Sequence, residues 1–248
     1  MSKRQITARL ASRRDITDAL AILTFAPGER ISFSPGQYLP LGIQERGTLI
    51  ERDYSIASSP HQDLLEFFVE RVDDGHLSRR LFELRPGQAV LAKPPRGAFL
   101  LDRERGRSHH LMIATVTGVA PFVSIIRTLT IEAGRGTAPE IRVTLLHGAS
   151  HADEFGYDTE MTRLAAGNPW FTYVPVVSRP SENRGWQGES GRVETVIEQS
   201  LRALHWTSRD TTAYLCGHPG MIAKGTQILR ALAFQETQIR REQYWEET

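Results

Sequence analysis

A single cysteine, Cys216, stands in 248 residues. That scarcity excludes a disulfide framework and any iron–sulfur cluster held by four thiolates of this chain. An excess of charge of one sign is missing as well: 30 Lys and Arg face 29 Asp and Glu, a formal net charge of +1. Dedicated nucleic-acid binders carry a marked basic excess, so no nucleic-acid partner is expected. No apolar run approaches the length that spans a bilayer, and the first seven residues lack the apolar core of a signal peptide. The expectation is a cytoplasmic, monomeric protein with no membrane contact. The dinucleotide fingerprint G-x-G-x-x-G is also missing, which excludes the ordinary NAD fold. No metal-ligand set is expected.

What is present is a globular composition, 40% hydrophobic and 24% charged, written in two different grammars. Up to about residue 102, short apolar runs recur at Ile6–Leu10, Leu20–Phe25, Gln37–Ile43, Leu64–Val72 and Gln88–Ala92. Turn pairs separate them: Pro27-Gly28, Pro35-Gly36, Asp74-Gly75 and Pro86-Gly87. This spacing predicts an antiparallel β-sandwich or barrel, with one short helix over Ser78–Leu84. A polar stretch at 103–108 then reads as a linker. Beyond it, strands (His110–Val116, Ile141–His147, Thr172–Val177, Thr211–Cys216) alternate with helices (Pro121–Ala133, Glu154–Ala166, Val193–Ala203, Met221–Leu232). Alternation implies parallel pairing through helical crossovers, hence an α/β doubly wound sheet. The expected domains are 1–102 and 103–248.

Ligands of open α/β sheets bind outside the carboxyl ends of the strands. The predicted strand ends read Thr117-Gly118-Val119-Ala120-Pro121, His147-Gly148-Ala149-Ser150, Ser178-Arg179 and Cys216-Gly217-His218-Pro219-Gly220. Three of the four carry glycine, which lets a phosphate or planar ring approach the backbone. Taken singly, each glycine is also what a plain tight turn requires. Arg179 and Arg192 are candidates for a 2′-phosphate, against the alternative of solvated surface charge. In the first half, Arg52-Asp53-Tyr54-Ser55-Ile56-Ala57-Ser58 lies on a predicted strand, with Arg52, Tyr54 and Ile56 on one face and Asp53 and Ser55 on the other. A cation beside an aromatic suits a flavin nucleotide; an edge strand with no ligand is the plain alternative. Gly75-His76-Leu77-Ser78 offers an amide nest for a pyrophosphate.

These motifs, with Pro35-Gly36-Gln37-Tyr38, occur in the order found in the ferredoxin–NADP(+) reductase family, which the chain resembles from about residue 5 onward. The ending Gln243-Tyr244-Trp245, with little beyond, is most similar to the bacterial ferredoxin/flavodoxin reductases. The resemblance implies an FAD-binding barrel followed by an NADP-binding α/β domain, and electron exchange with ferredoxin or flavodoxin. It implies FAD contacts from Arg52, Asp53, Tyr54, Ser55, Phe68, His76, Leu77 and Ser78. Tyr244 and Trp245 resemble the family's terminal aromatics, which cover the flavin or its adenine. Thr117 would face the flavin–nicotinamide junction, Ser178, Arg179 and Arg192 would take the 2′-phosphate, and Ser55 and Cys216 would lie beside the reacting atoms. Two departures stand out. The family's Gly before Thr117 is replaced by Val116, and an Arg that relatives often carry after His-Gly-x is replaced by Ser150. Two other functions fit the same fold: an NAD(P)H:flavin reductase that uses flavin as a diffusing substrate, and a non-catalytic electron-transfer or regulatory subunit.

Overall fold

The computed structural model describes residues 5–102, 107–136 and 140–243. Two compact units emerge. One runs to Leu100 and takes in Ala120–Ile131; the other holds Leu101–Val119 and the chain from Glu132 onward.

The first unit is built on strands β1 (Ile6–Asp15), β2 (Leu20–Pro27), β3 (Tyr38–Glu45), β4 (Thr48–Ser55), β5 (Leu65–Glu70) and β6 (Ala89–Ala92). All pair antiparallel in the order β4-β3-β6-β1-β2-β5. Its edges meet. Beyond β4 the chain leaves β3, with the Ile56 amide donating to the Gln37 carbonyl (3.0 Å) and the Ala57 amide to the Glu66 carbonyl on β5 (2.8 Å). Pairing with both edges closes the sheet into a barrel and removes its exposed edges. This also ends β4 at Ser55, so the strand expected to run through Ser58 stops three residues early. Alternating apolar residues turn inward, and Leu10, Leu23, Phe25, Leu41 and Phe67 are fully buried. Helix α1 (His76–Glu83) covers one end and buries Leu77, Leu81 and Phe82.

Helix α2 (Ala120–Gly134) follows the first strand of the second half, yet its first twelve residues pack with the barrel residues. Ser124 donates to the Ser58 carbonyl (2.6 Å), and Thr128 bonds Ser59 (2.8 Å). Arg127 bridges the Ala57 carbonyl (3.1 Å) and the Glu66 carboxylate (2.7 Å). The stretch Val116–Gly134 is long and apolar enough to cross a membrane by length and composition, which corrects the expectation that no run is. With 67% of its apolar window buried, its hydrophobicity is that of a core helix.

The second unit carries strands β7 (His109–Thr115), β8 (Arg142–Ala149), β9 (Phe171–Val177), β10 (Glu189–Ser190), β11 (Thr211–Gly217) and β12 (Ile239–Gln243). They form one parallel sheet in the order β10-β9-β8-β7-β11-β12. Helix α2 connects β7 to β8, and helices α3 (Asp158–Gly167), α4 (Ile197–Leu204) and α5 (Pro219–Ala231) connect β8 to β9, β10 to β11 and β11 to β12. From β7 the chain winds outward to β10, then returns to β11 on the other side. The order therefore reverses between β7 and β11, and ligands of such sheets bind at that point.

Candidate functional site

On the barrel, β4 presents the expected flavin residues. Arg52 is exposed, and its guanidinium donates to the neighbouring Glu51 carbonyl (2.8 Å). Asp53 accepts a two-pronged bond from Arg96 (2.8 and 2.9 Å), and Arg96 also lies over the Tyr38 ring, 5.5 Å from its centroid. Tyr54 is half-buried, edge-on to Phe67 at 6.5 Å, and burial raises its phenol pKa well above the usual range. Ser55 and Phe68 are buried.

Around α1 the geometry narrows what each residue offers. Leu77 belongs to the barrel core. The Ser78 hydroxyl accepts from the Val72 amide (3.1 Å) and donates to the Gly75 carbonyl (3.4 Å), so it is engaged within the turn. A Cβ at Gly75 would sit 2.6 Å from that hydroxyl oxygen, which is why the position takes glycine. His76 is mostly exposed, 3.7 Å from Glu45. A cavity of about 290 Å³ opens here, lined by Asp74, Gly75, His76, Arg79, Arg80 and Glu83. Its lining mixes cations with carboxylates: Arg80, in the last turn of α1, pairs with Glu45 (2.5 Å) and with Glu83 (2.8 Å), and Asp74 and Glu83 line the same space as Arg79.

In the second unit, the switch point brings Thr117, Gly118, Cys216 and Gly217 together. A Cβ at Gly118 would lie 2.3 Å from the Cys216 carbonyl oxygen, so only glycine permits this approach. The His218 amide donates to Thr115 Oγ1 at 2.8 Å, tying the two strand ends. Thr117 is nearly buried and Cys216 wholly so. Val116 has φ +44°, a left-handed conformation rare for a β-branched residue. A glycine at this position would take that φ without strain. The Val116 side chain packs on Ala149, Phe155 and Val177.

The Val116 carbonyl is held from below. His147, fully buried on β8, places Nε2 3.1 Å from that oxygen and Nδ1 3.1 Å from the Tyr173 hydroxyl on β9. A carbonyl can only accept, so Nε2 carries the proton and Nδ1 accepts from Tyr173. Burial pushes the His147 pKa down to about 4, the bond to Val116 opposing in part. Both groups stay neutral at ordinary pH.

Ser178 and Arg179, just past β9, and Arg192, just past β10, are all exposed. Arg179 lies 3.6 Å from Glu182. Tyr244 and Trp245 lie outside the described residues.

The chain matches the oxidoreductase FAD-binding domain over residues 7–100 and the oxidoreductase NAD-binding domain over residues 112–227. It is 30% identical over 228 residues to ferredoxin–NADP reductase B of Sorangium cellulosum, covering 90% of each chain. The chain belongs to the ferredoxin–NADP(+) reductase family. A similar relative is the flavodoxin/ferredoxin–NADP reductase of Escherichia coli K12, 30% identical over 223 residues, covering 88% of this chain and 86% of the other. The crystal structure of a ferredoxin NADP+ reductase from Neisseria gonorrhoeae with bound FAD and NADP superposes with TM-score 0.85. It is 26% identical, with 97% of this chain and 99% of that one covered.

As a ferredoxin–NADP(+) reductase family member the protein is a flavoprotein oxidoreductase with an antiparallel FAD-binding barrel and a parallel NAD(P)-binding sheet. The residues present fit both nucleotides: exposed Arg52 and the backbone amides that open α1 on the barrel, and glycine-lined strand ends with two exposed arginines on the sheet. Sequence reasoning missed the His147–Tyr173 support and the pairing of Glu182 with Arg179. His147 reads as one more residue of a buried strand, although its period-two partners are apolar and a lone imidazole among them is the available signal.

Proposed function

We propose that the protein oxidises NADPH with FAD as its resident cofactor and delivers single electrons to ferredoxin or flavodoxin, as a monomer in the cytoplasm. The proposed domains are an FAD-binding barrel, residues 1–102, and an NADP-binding domain, residues 103–248. FAD, when bound, supplies the exchange between a two-electron hydride and single electrons, which no side chain can perform. Arg52 neutralises its pyrophosphate, helped by backbone amides of His76, Leu77 and Ser78. Tyr54 and Phe68 shape the ring's surroundings, Asp53 fixes the strand through Arg96, and Ser55 lies beside the reactive nitrogen. Thr117 and Cys216 orient the nicotinamide, while Ser178, Arg179 and Arg192 grip the 2′-phosphate. Tyr244 and Trp245 complete the flavin's cover. Each NADPH oxidised reduces two one-electron acceptor proteins in succession.

The observation that carries this reading is the switch point, where Gly118 meets the Cys216 carbonyl too closely for any side chain and Thr117 stands beside it. Orientation of this kind, without an acid–base pair, is what hydride transfer requires. The purified protein should be yellow, should retain FAD through gel filtration, and should oxidise NADPH with ferricyanide as acceptor. A colourless protein that binds no added FAD would refute the reading. Loss of the flavin on gel filtration, with turnover restored by free flavin, would instead identify a flavin reductase.

A further inference from the structure

Beyond β8 and β9, two carboxylates stand among the groups assigned to the 2′-phosphate. Glu182, in the turn after β9, lies 3.6 Å from Arg179 and 3.0 Å from His151 Nε2. Glu154 accepts from the amides of Ser150 (2.8 Å) and His151 (3.1 Å) and faces His151 Nδ1 at 3.1 Å. The Ala152 amide donates to Asn183 Oδ1 at 2.8 Å, which holds the β8 end against the Glu182 turn. Thus the Arg179 guanidinium, the His151 ring and two backbone donors at this edge already have carboxylate partners. The pairing with Glu182, then Glu154, raises the His151 pKa, and the His151 hydrogen bond lowers that of Glu182.

We propose that Glu182 is a specificity-determining residue that weakens the protein's preference for NADPH over NADH. A 2′-phosphate must take Arg179 from Glu182 and then sit beside a displaced carboxylate, which is like-charge repulsion. A free ribose 2′-hydroxyl meets the opposite situation, because it donates a hydrogen bond to a carboxylate at that place. Arg192, exposed on the following turn, still attracts the phosphate, so NADPH is used, with only a modest advantage. The inference rests on the assignment of Ser178, Arg179 and Arg192 proposed above.

The test compares the wild-type holoenzyme with Glu182→Gln and Arg179→Ala, both at exposed positions. Calorimetric titration with adenosine 2′,5′-bisphosphate and with AMP reads the phosphate contribution without turnover, and kcat/KM for NADPH and NADH reads it in catalysis. In Glu182→Gln, both ratios should move toward the phosphorylated ligand by roughly fivefold, the scale of one exposed charge pair. In Arg179→Ala they should move the other way. If Glu182→Gln leaves both ratios unchanged while NADH still reduces the enzyme, Glu182 has no such role and the functional reading stands. If the wild type binds neither nucleotide, the inference and the reading fall together.

Discussion

Replacing Val116 tests whether the switch point holds a strained backbone. At φ +44° an L-residue is disfavoured by about 1–2 kcal/mol, whereas glycine adopts the region freely. Truncating the half-buried valine side chain, packed on Ala149, Phe155 and Val177, costs about 1 kcal/mol of apolar burial. Val116→Ala loses that packing and keeps the strain, so it should be destabilised by about 1 kcal/mol. Val116→Gly loses the same packing, regains about 1–2 kcal/mol of strain, and gives up about 0.5–1 kcal/mol of unfolded-state entropy. Its stability should fall between about 1 kcal/mol below and about 0.5 kcal/mol above wild type, and no lower than that of Val116→Ala. At an ordinary strand or helix position the order reverses, glycine being the worse by about 0.5–1 kcal/mol. Urea unfolding of the FAD-loaded proteins, compared at equal m-values, measures the order. Val116→Gly proving less stable than Val116→Ala would refute the strained corner.

Three further outcomes follow from the structure. The unfolded chain takes up a proton on His147 near pH 6.5, but the fold resists protonation until about pH 4. Stability should therefore be full above pH 6.5 and fall by about 3 kcal/mol as pH drops through that window; urea midpoints across it should lose this slope in His147→Phe. Arg127→Met leaves the Glu66 carboxylate and the Ala57 carbonyl without that partner in a mostly buried setting, so it should cost about 3 kcal/mol in denaturant unfolding. Arg52→Ala should weaken FAD retention roughly tenfold or more, read by flavin fluorescence on dilution, while leaving the fold intact because the side chain is exposed.

The alternation of apolar runs with turn pairs made the barrel legible, and strand–helix alternation did the same for the parallel sheet. Elements lacking their own pattern escaped. The two-residue β10 and the polar β12 (Ile-Arg-Arg-Glu-Gln) are strands only because β9 and β11 offer them ladder partners. β1 runs on to Asp15 through exposed polar residues for the same reason. β4 stops at Ser55 because barrel closure redirects Ile56 and Ala57, a long-range event that no local pattern encodes. The site followed the same division. Arg52 and the strand-end glycines were visible as residue types at meaningful places. The positive φ of Val116, its hold by His147, and the pairing of Glu182 with Arg179 arise from residues brought together by folding. The sequence offered Gly75–Ser78 as an amide nest; that the Ser78 hydroxyl is committed to its own turn is visible only in the folded chain.

The central claim is that this chain moves a hydride from NADPH to an FAD that it holds itself. Anaerobic stopped-flow mixing of the FAD-loaded protein with NADPH, and in parallel with NADH, addresses it in a single turnover. The expected result is rapid loss of the visible flavin band with either nucleotide, at least as fast with NADPH. A flavin that stays oxidised in the presence of excess NADPH and NADH would contradict the account.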